Sequence, residues 1–174
     1  MNIVLIYPRD PESFWSFKHV LRFVSKKSAF PPLGLLTVAA MLPAEWRLQL
    51  VDLNVRSLTD DDIRWADYVL LSGMIVHKAS AHEIAGRCAA LGRTVVAGGP
   101  LFTTGHCEFP EIRHFVLGEA EGVAGSLVED LRGGMLKPVY RSAGWPDVRS
   151  TPVPRWDLVD VRDYVTMPVQ FSRG

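Results

Sequence analysis

Three short segments in this 174-residue chain have the composition of a ligand cradle: Ser72-Gly73-Met74, Gly98-Gly99-Pro100 and Gly118-Glu119-Ala120-Glu121. Each follows a short apolar run. Glycine at such a point lets a bulky, flat ligand come against bare backbone, because no Cβ stands in the way. A dinucleotide needs Gly-x-Gly-x-x-Gly directly after the first strand. Here that loop reads Tyr7-Pro8-Arg9-Asp10-Pro11-Glu12-Ser13, with no glycine and with prolines that have no N–H to offer a phosphate. There is no Walker A loop either, so Asp52, placed where a ribose ligand would sit, has no nucleotide to serve. His77, His82, His106 and His114 show no metal-ligand spacing; His77 and His82 are five apart, one more than aligns two ligands on a helix face. Cys88 falls on an apolar helical stripe and reads as inert, and Cys107 falls in a loop with nothing nearby to activate it.

The elements that must position these segments follow from hydrophobic periodicity. Residues 2–7 predict a buried strand closed by Pro8. Phe14, Phe17, Leu21 and Val24 share one helical face, with Lys18, Arg22 and Lys26 on the other. That basic face would suit a membrane surface or an acidic group, but the expectation is a helix that covers the sheet and solvates its lysines. Pro31-Pro32 opens a helix over Leu33–Leu42 that is apolar nearly all round. Arg47–Asp52, Tyr68–Ser72, Arg93–Ala97 and His114–Leu117 predict four more strands. Thr59 before three aspartates starts a helix, and Ala79–Leu91 and Glu119–Leu131 are helical by spacing. Strands alternating with helices give a doubly wound α/β fold, flavodoxin-like, with about five parallel strands in the order 2-1-3-4-5. Ligands in such folds bind beyond the carboxyl ends of the strands, where the three glycine-bearing segments fall. Residues 133–174 hold five of the twelve prolines yet keep Trp145, Trp156, Tyr164, Val165 and Phe171, which predicts an extended tail packed on a domain.

Composition narrows the class. Hydrophobic residues make up 48% and charged residues 22%, an ordinary globular balance. The 19 basic and 19 acidic residues cancel, which argues against a nucleic-acid partner. The longest apolar run, Leu33–Leu42, falls far short of the ~20 residues of a membrane span. Two cysteines make no disulfide framework, and Met1-Asn2 leads directly into a strand, so a cytoplasmic location is expected.

Taken in order, Pro31-Pro32-Leu33-Gly34-Leu35, Ser72-Gly73-Met74, Ala97-Gly98-Gly99-Pro100, Gly118-Glu119-Ala120-Glu121-Gly122 and the ending Val169-Gln170-Phe171-Ser172-Arg173-Gly174 resemble the cobalamin-binding N-terminal domain of cobalamin-dependent radical S-adenosylmethionine enzymes. The resemblance implies a cobalamin-binding α/β domain over 1–132 and a tail over 133–174 leading toward a radical domain outside this sequence. It implies base-off (methyl)cobalamin held for a methyltransferase, with S-adenosylmethionine and a [4Fe–4S] cluster in the full-length protein. The cofactor-binding residues it points to are Ser72, Gly73, Met74, Gly98, Gly99, Pro100, Gly118, Glu119, Ala120 and Glu121. Ser72 would meet the displaced dimethylbenzimidazole, Met74 would pack on it, and the Gly118–Glu121 loop would meet corrin amides. Ser72-Gly73-Met74 matches the family's Ser-x-Leu with Met for Leu. The Asp-x-His-x-x-Gly motif that supplies a histidine to cobalt is absent, since Asp10 is followed by Pro11 and Glu12. This chain also lacks the cluster motif Cys-x-x-x-Cys-x-x-Cys, so radical chemistry would belong to the further domain. The alternative is a flavodoxin-like interaction module that has lost cobalamin. A phosphorylatable receiver is disfavoured, because Ser72-Gly73-Met74 offers no acidic cluster.

Overall fold

The computed structural model describes residues 1–11, 21, 23, 25–142, 144 and 146–170. The expected Phe14–Val24 helix, Ser13, Trp145 and the Phe171–Gly174 ending lie outside these residues, Leu21 and Phe23 excepted. Six parallel strands form one sheet: β1 (Asn2–Tyr7), β2 (Arg47–Asp52), β3 (Tyr68–Ser72), β4 (Thr94–Gly98), β5 (His114–Leu117) and β6 (Val139–Arg141). Their spatial order is β2-β1-β3-β4-β5-β6. The expected five-strand order stands, and a sixth strand extends it. The intervening helices are α1 (Leu33–Met41), α2 (Asp60–Trp65), α3 (Lys78–Ala90), α4 (Pro100–Gly105) and α5 (Ala124–Gly133).

Both faces of the sheet are covered, as an all-parallel sheet requires. Val4 and Ile6 face a core built with Ile63 of α2, Ile84 and Cys88 of α3, and Phe102 of α4. Ile3 and Leu5 face the other core, with Leu35 of α1 and Leu127 and Leu131 of α5. Burying one such side chain is worth about 1.5–3 kcal/mol. Ile3, Val4, Leu5 and Ile6 are all at 0% exposure. They therefore contribute on the order of 10 kcal/mol before chain entropy is subtracted.

Three elements differ from the sequence expectation. Gly98-Gly99-Pro100 is not only punctuation: Pro100 opens α4, with Gly99 as its N-cap. The last helix does not run from Glu119; a single 3-10 turn at Ala120–Gly122 precedes α5, which ends on left-handed Gly134. The third is β6, inside the proline-rich tail. Crossovers β2–α2–β3, β3–α3–β4, β4–α4–β5 and β5–α5–β6 all step the same way across the sheet, yet α5 alone of these helices lies on α1's face. The β5–α5–β6 connection thus has the opposite hand from the others, in a class of connection that is right-handed about 98% of the time. Its consequence is local: α1 and α5 flank the same side of the sheet.

Candidate functional site

Between α1 and α5, the carboxyl ends of β3, β4 and β5 open into a groove of about 1310 Å³. Pockets for drug-sized ligands run roughly 300–1,000 Å³, so this groove suits something larger. Its floor is the inner face of the sheet, from Leu70, Val96 and Val116, with Leu35 and Leu127 on the flanking helices. All five are under 9% exposed. Helix α1 contributes Leu33, Val38 and Met41 as a wall. This explains why Leu33–Leu42 is apolar nearly all round: one side packs on the core and another faces the groove.

Of the ten residues singled out from the sequence, nine line this groove. Ser72, Gly98 and Gly99 sit at its base, with Met74 and Pro100 beside them; Gly118, Glu119, Ala120 and Glu121 form the wall after β5. Gly73 does not line it. A Cβ there would meet His77 Cβ and Nδ1 at 3.3 Å, so its smallness accommodates the histidine behind. Among the lining residues that the sequence reading did not assign to the site are those of α1, Thr103, Thr104, Ser142, and Val169 and Gln170 of the tail. The uniform apolarity of α1 was a signal for the first group; Val169 and Gln170 were marked only as part of the ending that carries the family resemblance.

The base of the groove is tied together by hydrogen bonds across three loops. Leu101 N–H donates to Gly73 O at 3.0 Å. Thr103 Oγ1 donates to Gly99 O at 3.0 Å and accepts from Gly118 N–H at 3.1 Å. One threonine on α4 thereby links the ends of β4 and β5. Gly99 has φ +89°, a conformation that side chains rarely adopt, and a Cβ on it would lie 2.6 Å from Ser72 Oγ. That close approach, rather than turn geometry alone, requires glycine.

Behind the groove, His77 is at 1% exposure. Its Nδ1 accepts from Met74 N–H at 3.1 Å. The ring proton therefore sits on Nε2, which donates to Asp10 Oδ1 at 2.7 Å. Both ring nitrogens are thus committed, and no histidine among the described residues lines the groove. Burial pushes the Cys88 thiol up to about 11, so it keeps its proton at neutral pH.

The tail reaches the site, where Val169 and Gln170 are among the lining residues. Val165 N–H donates to Ser28 O and Thr166 N–H to Ala29 O, at 3.1 and 3.2 Å. Just before them, Tyr164 OH donates to Asp52 Oδ2 at 3.0 Å. Asp52, 2% exposed at the end of β2, also accepts from Asn54 N–H and Nδ2, both at 2.9 Å. Burial raises the Asp52 carboxyl against these hydrogen bonds, and the nearby Asp10 adds to the rise. From this anchor the chain runs on to Val169 and Gln170 at the groove's rim.

The chain is similar over its whole length to named methyltransferases. One is an uncharacterized methyltransferase of Synechocystis, 42% identical over 176 aligned residues, which cover 100% of this chain and 33% of the relative. The other is a hopanoid C-2 methylase of Rhodopseudomonas palustris, 31% identical over 99% of this chain and 34% of the relative. The chain thus spans about a third of the length of each relative it matches. No protein-family model matches it. Among the described residues no helix is long and apolar enough to cross a membrane.

Proposed function

We propose that this chain is a cobalamin-binding domain that holds the cofactor base-off for a longer radical S-adenosylmethionine enzyme of methyl transfer. The observation that carries the reading is the groove: an apolar cleft of about 1310 Å³ whose base is Ser72, Gly98 and Gly99, at the strand ends where the sequence resemblance puts the cofactor. Full-length similarity to a third of a methylase supports the methyl-transfer part. S-adenosylmethionine and the [4Fe–4S] cluster belong, in this reading, to the remaining two thirds of the longer protein.

The residues present fit such a group. Bare backbone at Gly98 and Gly99 admits a flat, wide ligand without a Cβ clash. The sheet floor and α1 would exclude water from the part that enters the groove. The Gly118–Glu121 wall offers backbone groups and two carboxylates, matching the donor and acceptor amides of a corrin edge. Thr103 fixes the spacing between that wall and Gly99, so the site is set before a ligand arrives. Among the described residues, both nitrogens of His77 are engaged and no histidine is on the lining, so none of these residues supplies an imidazole to the metal. The chemistry cobalamin supplies when bound is carriage of a methyl group; the protein contributes position and shielding.

Mixing the purified chain with hydroxocobalamin at micromolar concentration and desalting it tests the reading. Retained colour is expected. Gly34→Leu should lower retention, because position 34 lines the groove and a Cβ there meets nothing within 4 Å, so the fold tolerates the change. Colourless protein, or equal retention by the variant and its parent, would falsify the placement of cobalamin in this groove.

A further inference from the structure

Met74, Ile75 and Val76 follow β3 as three large apolar side chains in a row, 48%, 65% and 58% exposed, and the first two line the groove. The residue after them is buried and holds them in place. His77 Nδ1 accepts from Met74 N–H at 3.1 Å, and His77 N–H donates to Met74 O at 2.9 Å. The other ring nitrogen starts a line of hydrogen bonds that leads away from the groove. Nε2–H donates to Asp10 Oδ1 at 2.7 Å, and Asp10 N–H donates to Asn54 Oδ1 at 2.8 Å. Asn54 Nδ2 donates to Asp52 Oδ1 at 2.9 Å, and Asp52 Oδ2 accepts from Tyr164 OH at 3.0 Å. The line thus crosses the loops after β3, β1 and β2 and ends on the tail. Beyond Tyr164 the same tail supplies Val169 and Gln170 to the groove lining. Segments that line the groove therefore stand at both ends of the line.

We propose that His77 is the positioning residue of the Met74–Ile75 rim and that, through Asp10, Asn54 and Asp52, it couples this rim to the tail anchor at Tyr164. The coupling does not depend on which ligand the groove takes. Its physical basis is that every side chain on the line is engaged on both sides. Moving one of them alone leaves a donor or acceptor unmet beside buried His77 or buried Asp52, which costs that group its desolvation. A polar network of this kind is stable fully made and costly half made, so its parts hold or give way together. Polarity also fixes the ring. Nδ1 must be bare to accept from Met74, so the proton stays on Nε2, where Asp10 receives it. Gly73 serves the same joint, since a Cβ there would crowd His77 Nδ1 at 3.3 Å. A separate bond, Arg9 N–H to Ser80 Oγ at 3.0 Å, ties the first loop to α3. The His77–Asp10 bond can therefore be cut without freeing that loop.

The test uses the purified chain without ligand, so its failure leaves the cobalamin reading untouched. Asp10→Ala cuts the line at a partly exposed position and keeps the Asp10 N–H bond to Asn54. It should speed both hydrogen exchange of the Met74 amide and trypsin cleavage after Arg162. Each rate should rise roughly 2- to 30-fold, the range of couplings along packed networks. Asp10→Asn keeps an acceptor for Nε2–H and should return both rates to the parent's. Tyr164→Phe, at the far end, should speed exchange at Met74 as well. Nitrogen NMR of the parent at neutral pH should show the His77 ring with its proton on Nε2. A merely local role for His77 predicts that Asp10→Ala changes exchange at Met74 and leaves the cut after Arg162 alone. That result overturns the coupling, and so does a Tyr164→Phe variant with parental exchange at Met74. Parental exchange at Met74 in Asp10→Ala, a proton on Nδ1, or an Asp10→Asn variant as impaired as Asp10→Ala overturns the role given to His77.

Discussion

Gly99 and Gly34 both line the groove, yet they tolerate change very differently. At Gly99 the backbone sits at φ +89° and a Cβ would press on Ser72 Oγ at 2.6 Å. Strain of this kind costs on the order of 1–3 kcal/mol. At Gly34, on helix α1, a Cβ meets nothing within 4 Å. Replacing a helical glycine by alanine gains up to about 1 kcal/mol. Urea unfolding should therefore place Gly99→Ala below the parent and Gly34→Ala level with it or above. Equal losses would mean that the left-handed turn at 99 relaxes freely. A larger residue at 99, such as valine, consequently disturbs the start of α4 as well as the groove, and it is a poor test of ligand binding. Ser72, Gly98–Gly99 and Gly118–Glu121 stood out in the sequence because glycine just after a strand leaves backbone bare where such folds take ligands, and all of them line the groove. Thr103 did not stand out. Its role depends on α4 bringing it between two loops, and nothing in its neighbours announces that.

At the scale of elements, the short helix α2 shows local chemistry overriding length. It has six residues, too few to be stable alone. Thr59 Oγ1 accepts from Asp62 N–H at 3.1 Å, and Asp62 Oδ2 accepts from Thr59 N–H at 2.9 Å. Arg56 adds a two-pronged pair to the Asp62 carboxylate at 2.8 and 2.9 Å. Burial alone would raise this carboxyl, but the hydrogen bonds from Arg56 and Thr59 together overcome it and hold the group at about 2. A lowered folded value stabilises the protein above the unfolded value, near 3.9, and the contribution fades as pH falls toward about 2. It amounts to about 2 kcal/mol at neutral pH. Asp62→Asn should accordingly lose about that much at pH 7 and progressively less below pH 4, seen in thermal melts across the range; a loss independent of pH would rule the ion pair out as its source. This helix start was readable from Thr59 and the three aspartates. Strand β6 was not, because Val139-Tyr140-Arg141 is too short to show a period among prolines. Only Tyr140 of the three is buried, and its hydroxyl donates to Asp130 of α5 at 2.8 Å. Helix α4 was missed for a different reason: Pro100 after two glycines reads equally as a turn and as the first residue of a helix.

The whole molecule is a sheet whose carboxyl edge carries two kinds of structure side by side. Over β3, β4 and β5 lies the groove; over β1 and β2 lies the anchor of the tail. Asp52 joins them, since its partner Tyr164 holds the strand-like segment that continues to the groove's rim at Val169 and Gln170. The anchor has a definite pH signature. Because burial raises the folded Asp52 carboxyl, the folded state holds this proton more tightly than the unfolded chain does. Its contribution therefore favours folding at acid pH and declines as pH rises from about 3.9 through the raised folded value. The sign is opposite to that of Asp62. Asparagine at position 52 resembles the protonated carboxyl at every pH, so the stability of Asp52→Asn relative to the parent should rise between pH 4 and pH 7. Tyr164→Phe removes the hydroxyl and leaves Asp52 short of one donor, a loss of about 1–3 kcal/mol for a buried acceptor. It should also loosen the tail, so trypsin should cut after Arg162 faster than in the parent while the sheet stays folded by circular dichroism. If Asp52→Asn tracks the parent at both pH values and Tyr164→Phe is cut no faster, the tail is held by its other bonds, chiefly those between residues 26–29 and residues 162–166, and the buried pair does not fasten it.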